Sequence, residues 1–200
     1  MMMNKDNASI LVVSDSHGNM PALTAALSWA RQQGMAGQVD VMQNDNLAQG
    51  AGFAAALFLG DGGDDLAPAS AQAGFAVPWY KVRGNLDHDF SVEDFQVVEI
   101  NRKLFLAHGN RYAVDSGGHN IAAAAKAAGA EAALFGHTHT PHCSMVNGIF
   151  LLNPGSIGRS RIDAGHTFAV LDCPAKGPLS AQFYCLVQKG RKIEVRELEI

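Results

Sequence analysis

The sequence predicts an α/β fold whose last third is mostly β-strand, and two observations support this prediction. Through the first two-thirds of the chain, short apolar runs alternate with segments of helical spacing, and most of the apolar runs end in a loop that contains glycine. From Cys143 onward the helical spacing disappears, and apolar runs separated by Gly, Pro and Lys turns remain. Alternating strands and helices are typical of parallel sheets covered by helices.

The opening unit is predicted to be a strand, a polar loop and a helix. Residues 10–13 (ILVV) are apolar and mostly β-branched, which is typical of a buried strand. Apolar residues then recur at helical spacing between Pro21, near the first turn, and Gly34, where we expect the helix to end. Between Met35 and Gly52, Gly, Gln and Asn interrupt every period, so we expect a loop or an insertion there.

Further apolar runs and two more helical patterns continue the alternation along the middle of the chain. The second of these helices is rich in alanine and is expected to stop at Gly129, because glycine favours the left-handed conformation found at helix ends. The sequence predicts strands at residues 53–59, 78–82, 103–107 and 133–135, and helices at residues 65–74 and 120–128.

The last third contains a hairpin followed by three strands. Asn147 and Gly148 suit a type I′ turn, which joins antiparallel strands. The predicted strands are residues 143–146 and 149–153 on either side of this turn, and then residues 167–172, 179–188 and 192–200.

Length and composition limit the possible classes of protein. The 200 residues are 48% hydrophobic and 17% charged, so we expect one globular domain over residues 1–200. The formal net charge of −4 disfavours a nucleic-acid partner, which would need a surplus of Lys and Arg. The three cysteines are far apart, and neither a secretory signal nor a membrane-spanning apolar run is present. We therefore expect a cytoplasmic protein that does not bind membranes.

Metal-binding side chains recur where the predicted strands end. In α/β sheets the carboxyl ends of the strands meet at one crevice, so loops that follow different strands converge there. Residues two apart in an extended segment face the same way, which lets each D-x-H or H-x-H pair point into that crevice. Five strand-end loops supply seven such side chains, which are Asp15, His17, Asp61, Asn85, His108, His137 and His139.

The number of donors favours two metal ions rather than one. A single catalytic zinc typically takes three protein ligands, whereas two carboxylates, one amide and four imidazoles suit two divalent ions that share a carboxylate. Two ions that share a carboxylate are close enough to hold a phosphoryl group between them and to activate water at neutral pH. A phosphate ester is therefore the expected substrate class, bound without a basic surface.

The order of the motifs D-x-H, G-D-x-x-D, G-N-x-D, H-G and G-H-T-H resembles that of the calcineurin-like metallophosphoesterase superfamily. Within it, the chain is similar to small bacterial and archaeal single-domain phosphodiesterases over residues 10–156, ending in the N-P-G-S sequence at residues 153–156. The resemblance implies a two-sheet α/β/β/α sandwich. It also implies a phosphodiesterase that hydrolyses a small or activated phosphodiester by attack of a metal-bound hydroxide.

The resemblance also implies a role for each motif residue. One metal ion would be held by Asp15, His17, Asp61 and His139, and the other by Asp61, Asn85, His108 and His137. Asp61 would bridge the ions, and Asp61, Asn85 and His108 would lie at the reacting phosphate. The carboxylates of Asp64 and Asp87 would stand behind the ligands to orient them or hold water. Manganese is the expected metal, with Fe, Ni and Zn as alternatives.

Two departures from the family pattern bear on the reaction. Relatives that have a histidine directly after the asparagine of G-N use it near the leaving group, and this chain has Leu86 there. Many small relatives also have H-G-H at the fourth motif, where this chain has Asn110. We therefore expect a substrate with a good leaving group, or another proton donor.

A different class of function stays open beside the enzyme. The same fold is used by a retromer subunit as a non-catalytic protein-interaction module, although degenerate members of that kind lose metal-binding histidines and this chain keeps all four. The expected partner is a small phosphoester substrate. The sequence leaves a homo-oligomer open.

Overall fold

The computed structural model describes residues 7–36, 52–190 and 192–200. Eleven strands in this part of the chain form two sheets, and three α-helices cover them. The strands are β1 Asn7–Val13, β2 Ala55–Phe58, β3 Trp79–Lys81, β4 Phe95–Ile100, β5 Arg102–Ala107, β6 Ala132–Leu134, β7 Pro141–Val146, β8 Ile149–Pro154, β9 His166–Pro174, β10 Ser180–Lys189 and β11 Lys192–Leu198. The helices are α1 Met20–Ala36, α2 Leu66–Ala73 and α3 His119–Ala127.

The first sheet has the strand order β11-β10-β9-β1-β2-β3, and the second has the order β4-β5-β6-β8-β7. Strands β1, β2 and β3 run parallel, as do β5, β6 and β8. The antiparallel pairs are made by β9, β10 and β11 in the first sheet and by β4 and β7 in the second. Each sheet therefore has a parallel part whose carboxyl ends all point to the same edge. The site loops follow these strands.

The alternation of side chains along β1 shows how the layers form. Ile10 and Val12 point into the core between the two sheets, where they meet Leu104 of β5. Leu11 and Val13 point the other way, into a second core under helices α1 and α2. Helix α3 packs on the outer face of the second sheet in a third core. The expected two-sheet α/β/β/α sandwich is confirmed.

Most predicted elements are present within one or two residues of their expected bounds. The hairpin turn is confirmed, because Asn147 and Gly148 both have positive φ angles, 52° and 82°. The alanine-rich helix and the helix that ends at Gly74, whose φ is 63°, are also present.

Helix α1 is longer than predicted, because it continues through Gly34 to Ala36. The backbone of Gly52 passes close to this point: a Cβ atom added to Gly52 would lie 3.2 Å from the Cα of Gly34. The glycine in the helix thus serves close packing rather than termination. The loop expected between Met35 and Gly52 otherwise lies outside the described residues.

Strand β4 was not predicted. It is an edge strand that pairs only with β5, and of its residues only Val98 is buried. Its apolar residues do not alternate strictly with polar ones, so its sequence lacks the period-two pattern that marks a half-buried strand. No helix in the described part of the chain is long and apolar enough to cross a bilayer.

Candidate metal centre

The loop after β1 places Asp15 at the centre of the site. Asp15 is fully buried, and its N–H donates to the carbonyl of Gly60 at 2.9 Å. One carboxylate oxygen, Oδ2, accepts hydrogen bonds from the Ser14 hydroxyl at 2.5 Å and from the His137 N–H at 3.1 Å. The other oxygen, Oδ1, is buried and has no hydrogen-bond donor among the described residues. A buried charge without a partner is costly, so a cation is the partner that this oxygen lacks.

Asp61 follows β2 and is almost completely buried beside Asp15. Its Oδ1 accepts the N–H of Leu86 at 2.8 Å, and its Oδ2 lies 3.5 Å from Nε2 of His108. Burial alone would raise the pKa of Asp61, but the neighbouring imidazole of His108 and the Leu86 N–H outweigh it and hold that pKa below its ordinary value. Asp61 is therefore ionised and ready to bind a cation at neutral pH.

The imidazole of His108, at the end of β5, is fixed in one orientation. Its Nδ1 lies 2.7 Å from the carbonyl oxygen of Leu59, which can only accept, so Nδ1 carries the hydrogen. Nε2 faces Asp15 and Asp61, at 4.0 and 3.5 Å. Burial would lower the pKa of His108, but these two carboxylates outweigh it and raise that pKa above its ordinary value. A bound cation would take the place of the Nε2 proton. This nitrogen is buried and makes no hydrogen bond within the described residues. A backbone carbonyl on one ring nitrogen and a cation on the other is the usual arrangement of a metal-binding histidine.

Two further histidines, 122 positions apart in the chain, lie close to Asp15. Nε2 of His139 lies 3.1 Å from Oδ1 of Asp15, and Nε2 of His17 lies 3.7 Å from the same oxygen. The two Nε2 atoms are 3.1 Å apart. Burial is the main cause that lowers the pKa of His17, which favours the neutral, metal-binding form.

These contacts form two groups of three side chains whose ligand atoms lie within 4.8 Å of one another. The first group is Asp15, His17 and His139, and the second is Asp15, Asp61 and His108. Carboxylates and imidazoles together suit Mn, Fe, Ni or Zn. The residues present therefore fit two divalent ions. In this geometry the carboxylate common to both groups is Asp15, whereas the resemblance assigned the bridge to Asp61.

His137 and Asn85 lie near these groups but not in them. Nε2 of His137 lies 3.1 Å from Oδ2 of Asp115, and its ring centroid is 5.1 Å from that of His108. Asn85 is exposed, in the loop whose next residue, Leu86, donates to Asp61. Both residues border the second group, and His137 would have to leave Asp115 to join it.

The backbone of the site is strained at the predicted ligands. Five of the seven have the left-handed conformation, which side chains other than glycine rarely adopt. Such strain costs of order 1–3 kcal/mol at each residue and persists where function requires it. The five are Asp15 (φ 53°), His17 (45°), Asp61 (59°), His137 (68°) and His139 (57°).

Asp87 holds the loop that carries Asp61. Its carboxylate accepts the N–H groups of Asp61, Gly62, Gly63 and Gly84, at 2.7–3.0 Å. Burial would raise the pKa of Asp87, but these four donors hold it below the ordinary value. Asp87 therefore fixes the backbone of a predicted ligand, and its role in orienting that ligand on a metal ion stays a prediction.

The expectation for Asp64 does not agree with the structure. Asp64 is exposed on a short 3₁₀ turn at residues 63–65, and the carboxylate that reaches the first loop belongs to Asp65. Asp65 accepts the Ser16 hydroxyl at 2.6 Å and the Gly18 N–H at 2.9 Å. The turn points the side chains of Asp64 and Asp65 in different directions. The sequence alone does not show which of the two contacts the first loop.

The end of β8 and the loop after it hold two of the ligand loops together. Asn153 donates its side-chain amide to the carbonyl of Gly136 at 2.8 Å. Ser156 donates its hydroxyl to the carbonyl of Asp15 at 2.8 Å, and the N–H of Gly158 donates to the same oxygen at 2.8 Å. These bonds tie the loop of Asp15 to the loop of His137 and His139. The N-P-G-S sequence pointed to this loop, but not to the role of Ser156.

The fold and the site together define a class: two-sheet α/β proteins that gather carboxylates and imidazoles for metal ions at the carboxyl ends of their strands. Residues 9–176 match the family model described as "Calcineurin-like phosphoesterase superfamily domain". The chain belongs to this superfamily.

Named relatives agree with this assignment. The chain is 29% identical over 119 residues to the "Probable metallophosphoesterase YsnB" of Bacillus subtilis (strain 168). The aligned region covers 58% of this chain and 68% of the relative. A solved protein from Streptococcus pneumoniae TIGR4, described as a predicted phosphoesterase, superposes with a TM-score of 0.67 at 20% identity over 96% of this chain and 98% of that one. Vps29 from Chaetomium thermophilum superposes with a TM-score of 0.68 at 17% identity over 99% of this chain and 97% of that one.

Proposed function

We propose that this protein is a phosphodiesterase that uses two divalent metal ions. The observation that carries the proposal is the pair of buried atoms without hydrogen bonds, Oδ1 of Asp15 and Nε2 of His108, which face each other across 4.0 Å. His17 and His139 add two more imidazole nitrogens beside Asp15. Neither a folded core nor a protein-binding surface needs unpartnered ligand atoms at its centre.

Divalent ions bound at this site would neutralise the oxygens of a phosphoryl group and make water a nucleophile at neutral pH. The residues that would hold them are the two groups around Asp15, with Asn85 and His137 at the border of the second. The chain itself contributes fixed geometry. The carbonyl of Leu59 sets the tautomer of His108, and Asp87 holds the backbone of Asp61.

The preferred substrate follows from the position beside Asn85. Leu86 is exposed and apolar, and it can offer no proton to a departing alkoxide. A leaving group that departs as a stable anion needs no such proton. We therefore propose small or activated phosphodiesters as substrates and manganese as the metal. The names of the relatives support the broader class of phosphoesterases.

The test is rescue of metal-stripped protein. Stripped protein should not hydrolyse bis(p-nitrophenyl) phosphate and should regain turnover with Mn²⁺. His139→Ala should abolish the rescue because it removes a nitrogen 3.1 Å from Asp15. His142→Ala is the matched control, since His142 is exposed on β7 and its side chain forms a hydrogen bond to Ser144 alone within the described residues. Absence of rescue by any of Mn²⁺, Fe²⁺, Ni²⁺ and Zn²⁺ would overturn the proposal.

A protein-interaction module is the second candidate function. Its support is the fold that this chain shares with Vps29 from Chaetomium thermophilum, together with the resemblance to a retromer subunit noted from the sequence. The same experiment separates the two candidates. Two equivalents of bound metal without turnover of monoesters, linear diesters or cyclic nucleotides would support the interaction module and contradict the enzyme.

A further inference from the structure

Two arginines follow the loop that closes the metal centre. The N–H of Gly158, just before Arg159, donates to the carbonyl of Asp15 at 2.8 Å. The N–H of Arg161 donates to the carbonyl of His139 at 3.2 Å. The backbone between these two bonds therefore passes along both loops of the first metal group, which contains Asp15, His17 and His139.

The position of Arg159 is fixed by close contacts. A Cβ atom on Gly158 would lie 2.1 Å from the carbonyl oxygen of Ser16, so the backbone here rests directly on the first loop. The N–H of Arg159 donates to the hydroxyl of Ser156 at 2.7 Å, and that hydroxyl donates in turn to the carbonyl of Asp15. The backbone of Arg159 is therefore held in a fixed position beside the site.

Both arginines are exposed, and neither forms an ion pair within the described residues. Other arginines in the described chain behave differently, because Arg83 and Arg111 both pair with Asp94, and Arg102 pairs with Glu131. Two guanidinium groups without carboxylates at the edge of the metal centre form a local positive region on a chain of net charge −4.

We propose that Arg159, with Arg161 next to it, binds a second phosphate group of the substrate. This inference rests on the proposed function, because it extends the same site. The metal centre would take the phosphoryl group that is hydrolysed, and the arginines would take a phosphate elsewhere on the same molecule. Guanidinium groups suit this role because they offer several N–H donors in a plane that matches phosphate oxygens. The preferred substrates are therefore phosphodiesters that carry a further terminal phosphate.

The experiment compares two esters with the same leaving group. One is the p-nitrophenyl ester of thymidine 5′-phosphate, and the other is the same ester with an added 3′-phosphate. Wild-type protein with Mn²⁺ should show a KM about tenfold lower for the 3′-phosphorylated ester, since a charge-assisted hydrogen bond to phosphate is worth about one order of magnitude in affinity. Arg159→Met should remove this difference by raising the KM of the 3′-phosphorylated ester alone, with kcat unchanged.

Two further variants make the result specific. Arg161→Met should reduce the same preference. Arg196→Met is the matched control, because Arg196 is an exposed arginine on β11 that pairs with Glu194. It should leave both KM values unchanged. Equal KM values for the two esters in the wild type, or an equal effect of Arg159→Met on both, would overturn the inference.

Failure of the proposed function would be a separate result. If no divalent ion supports turnover of either ester, calorimetric titration with thymidine 3′,5′-bisphosphate and thymidine 5′-phosphate replaces the kinetics. Binding of the bisphosphate about tenfold more tightly than the monophosphate, with loss of this difference in Arg159→Met, would uphold the phosphate site in a protein that is not an enzyme. No difference between the two nucleotides would overturn it.

Discussion

Gly84 lies so close to Asp61 that a Cβ atom on residue 84 would be 2.1 Å from Oδ1 and 2.4 Å from the backbone nitrogen of Asp61. Any side chain at residue 84 would have to displace the carboxylate that borders both His108 and Leu86. The glycine of the G-N-x-D motif is thus required by space, since its φ lies outside the left-handed region.

Gly84→Ala should therefore reduce kcat/KM on bis(p-nitrophenyl) phosphate by about 100-fold, because a shift of about 1 Å in a ligand costs this much. The matched control is Gly63→Ala. A Cβ atom there meets nothing closer than 3.8 Å, and its N–H still reaches Asp87. Steady-state kinetics of the two variants side by side checks the prediction, and similar losses in both would contradict it.

Substitution of each carboxylate by its amide tests whether Asp61 and Asp64 have different roles in metal binding. Asp61→Asn should lower activity by more than the roughly 10–100-fold typical of residues behind metal ligands. Asp64→Asn should stay within about twofold of the wild type, because Asp64 is exposed and surface changes have small effects. Bound metal per protein, measured by elemental analysis, should fall only in Asp61→Asn. Equal losses of metal in the two variants would contradict the prediction.

Asp87 should contribute to stability as well as to the site. Asp87→Ala leaves the N–H groups of Asp61, Gly62, Gly63 and Gly84 without their acceptor. We expect the free energy of unfolding of metal-free protein to fall by about 2–4 kcal/mol, since charged hydrogen bonds are lost and donors are left unsatisfied. Urea denaturation measures this. Asp89→Ala is the control, because its carboxylate is exposed and, within the described residues, accepts hydrogen bonds from Ser91 alone and lies 4.0 Å from the Nζ of Lys81.

Much of the site could be predicted from the sequence because strand ends converge. Asp15, Asp61 and His108 follow strands β1, β2 and β5, and each strand is marked by an apolar run. The carboxyl ends of parallel strands meet, so side chains 46 and 93 residues away from Asp15 along the chain come together around it. Residue type and strand position were enough for this step.

Other features depend on short-range geometry that the sequence does not show. Whether Asp64 or Asp65 faces the first loop is decided by a single 3₁₀ turn. The place of Arg159 depends on the contact of Gly158 with Ser16, two residues that are 142 positions apart. Only one residue of strand β4, Val98, is buried, and its apolar residues do not alternate strictly with polar ones, so no period-two pattern marked it. In none of these three cases does a periodic pattern in the sequence report the structure.

Leu86 provides a test of the leaving-group preference. Its side chain is 54% exposed, while its N–H is fixed to Oδ1 of Asp61, so a substitution changes what faces the substrate and keeps the backbone contact. Leu86→His adds a group that is able to protonate a leaving oxygen. General acid catalysis is worth about 10²–10⁴-fold when fully developed, and we expect at least a tenfold gain in kcat on diphenyl phosphate. Bis(p-nitrophenyl) phosphate, whose leaving group needs no proton, should change little.

The pattern across leaving groups distinguishes proton donation from a general effect of the added imidazole. In Leu86→His, a plot of log kcat against the pKa of the leaving phenol should be flatter than in the wild type, because the donor helps the most basic leaving groups most. Phe90→His is the control, since Phe90 is 78% exposed in the same segment and contacts Arg83 rather than Asp61. It should leave the slope unchanged. If Leu86→His instead raised or lowered the rates of all esters by the same factor, the apolar residue after Asn85 would not set the leaving-group preference of this protein.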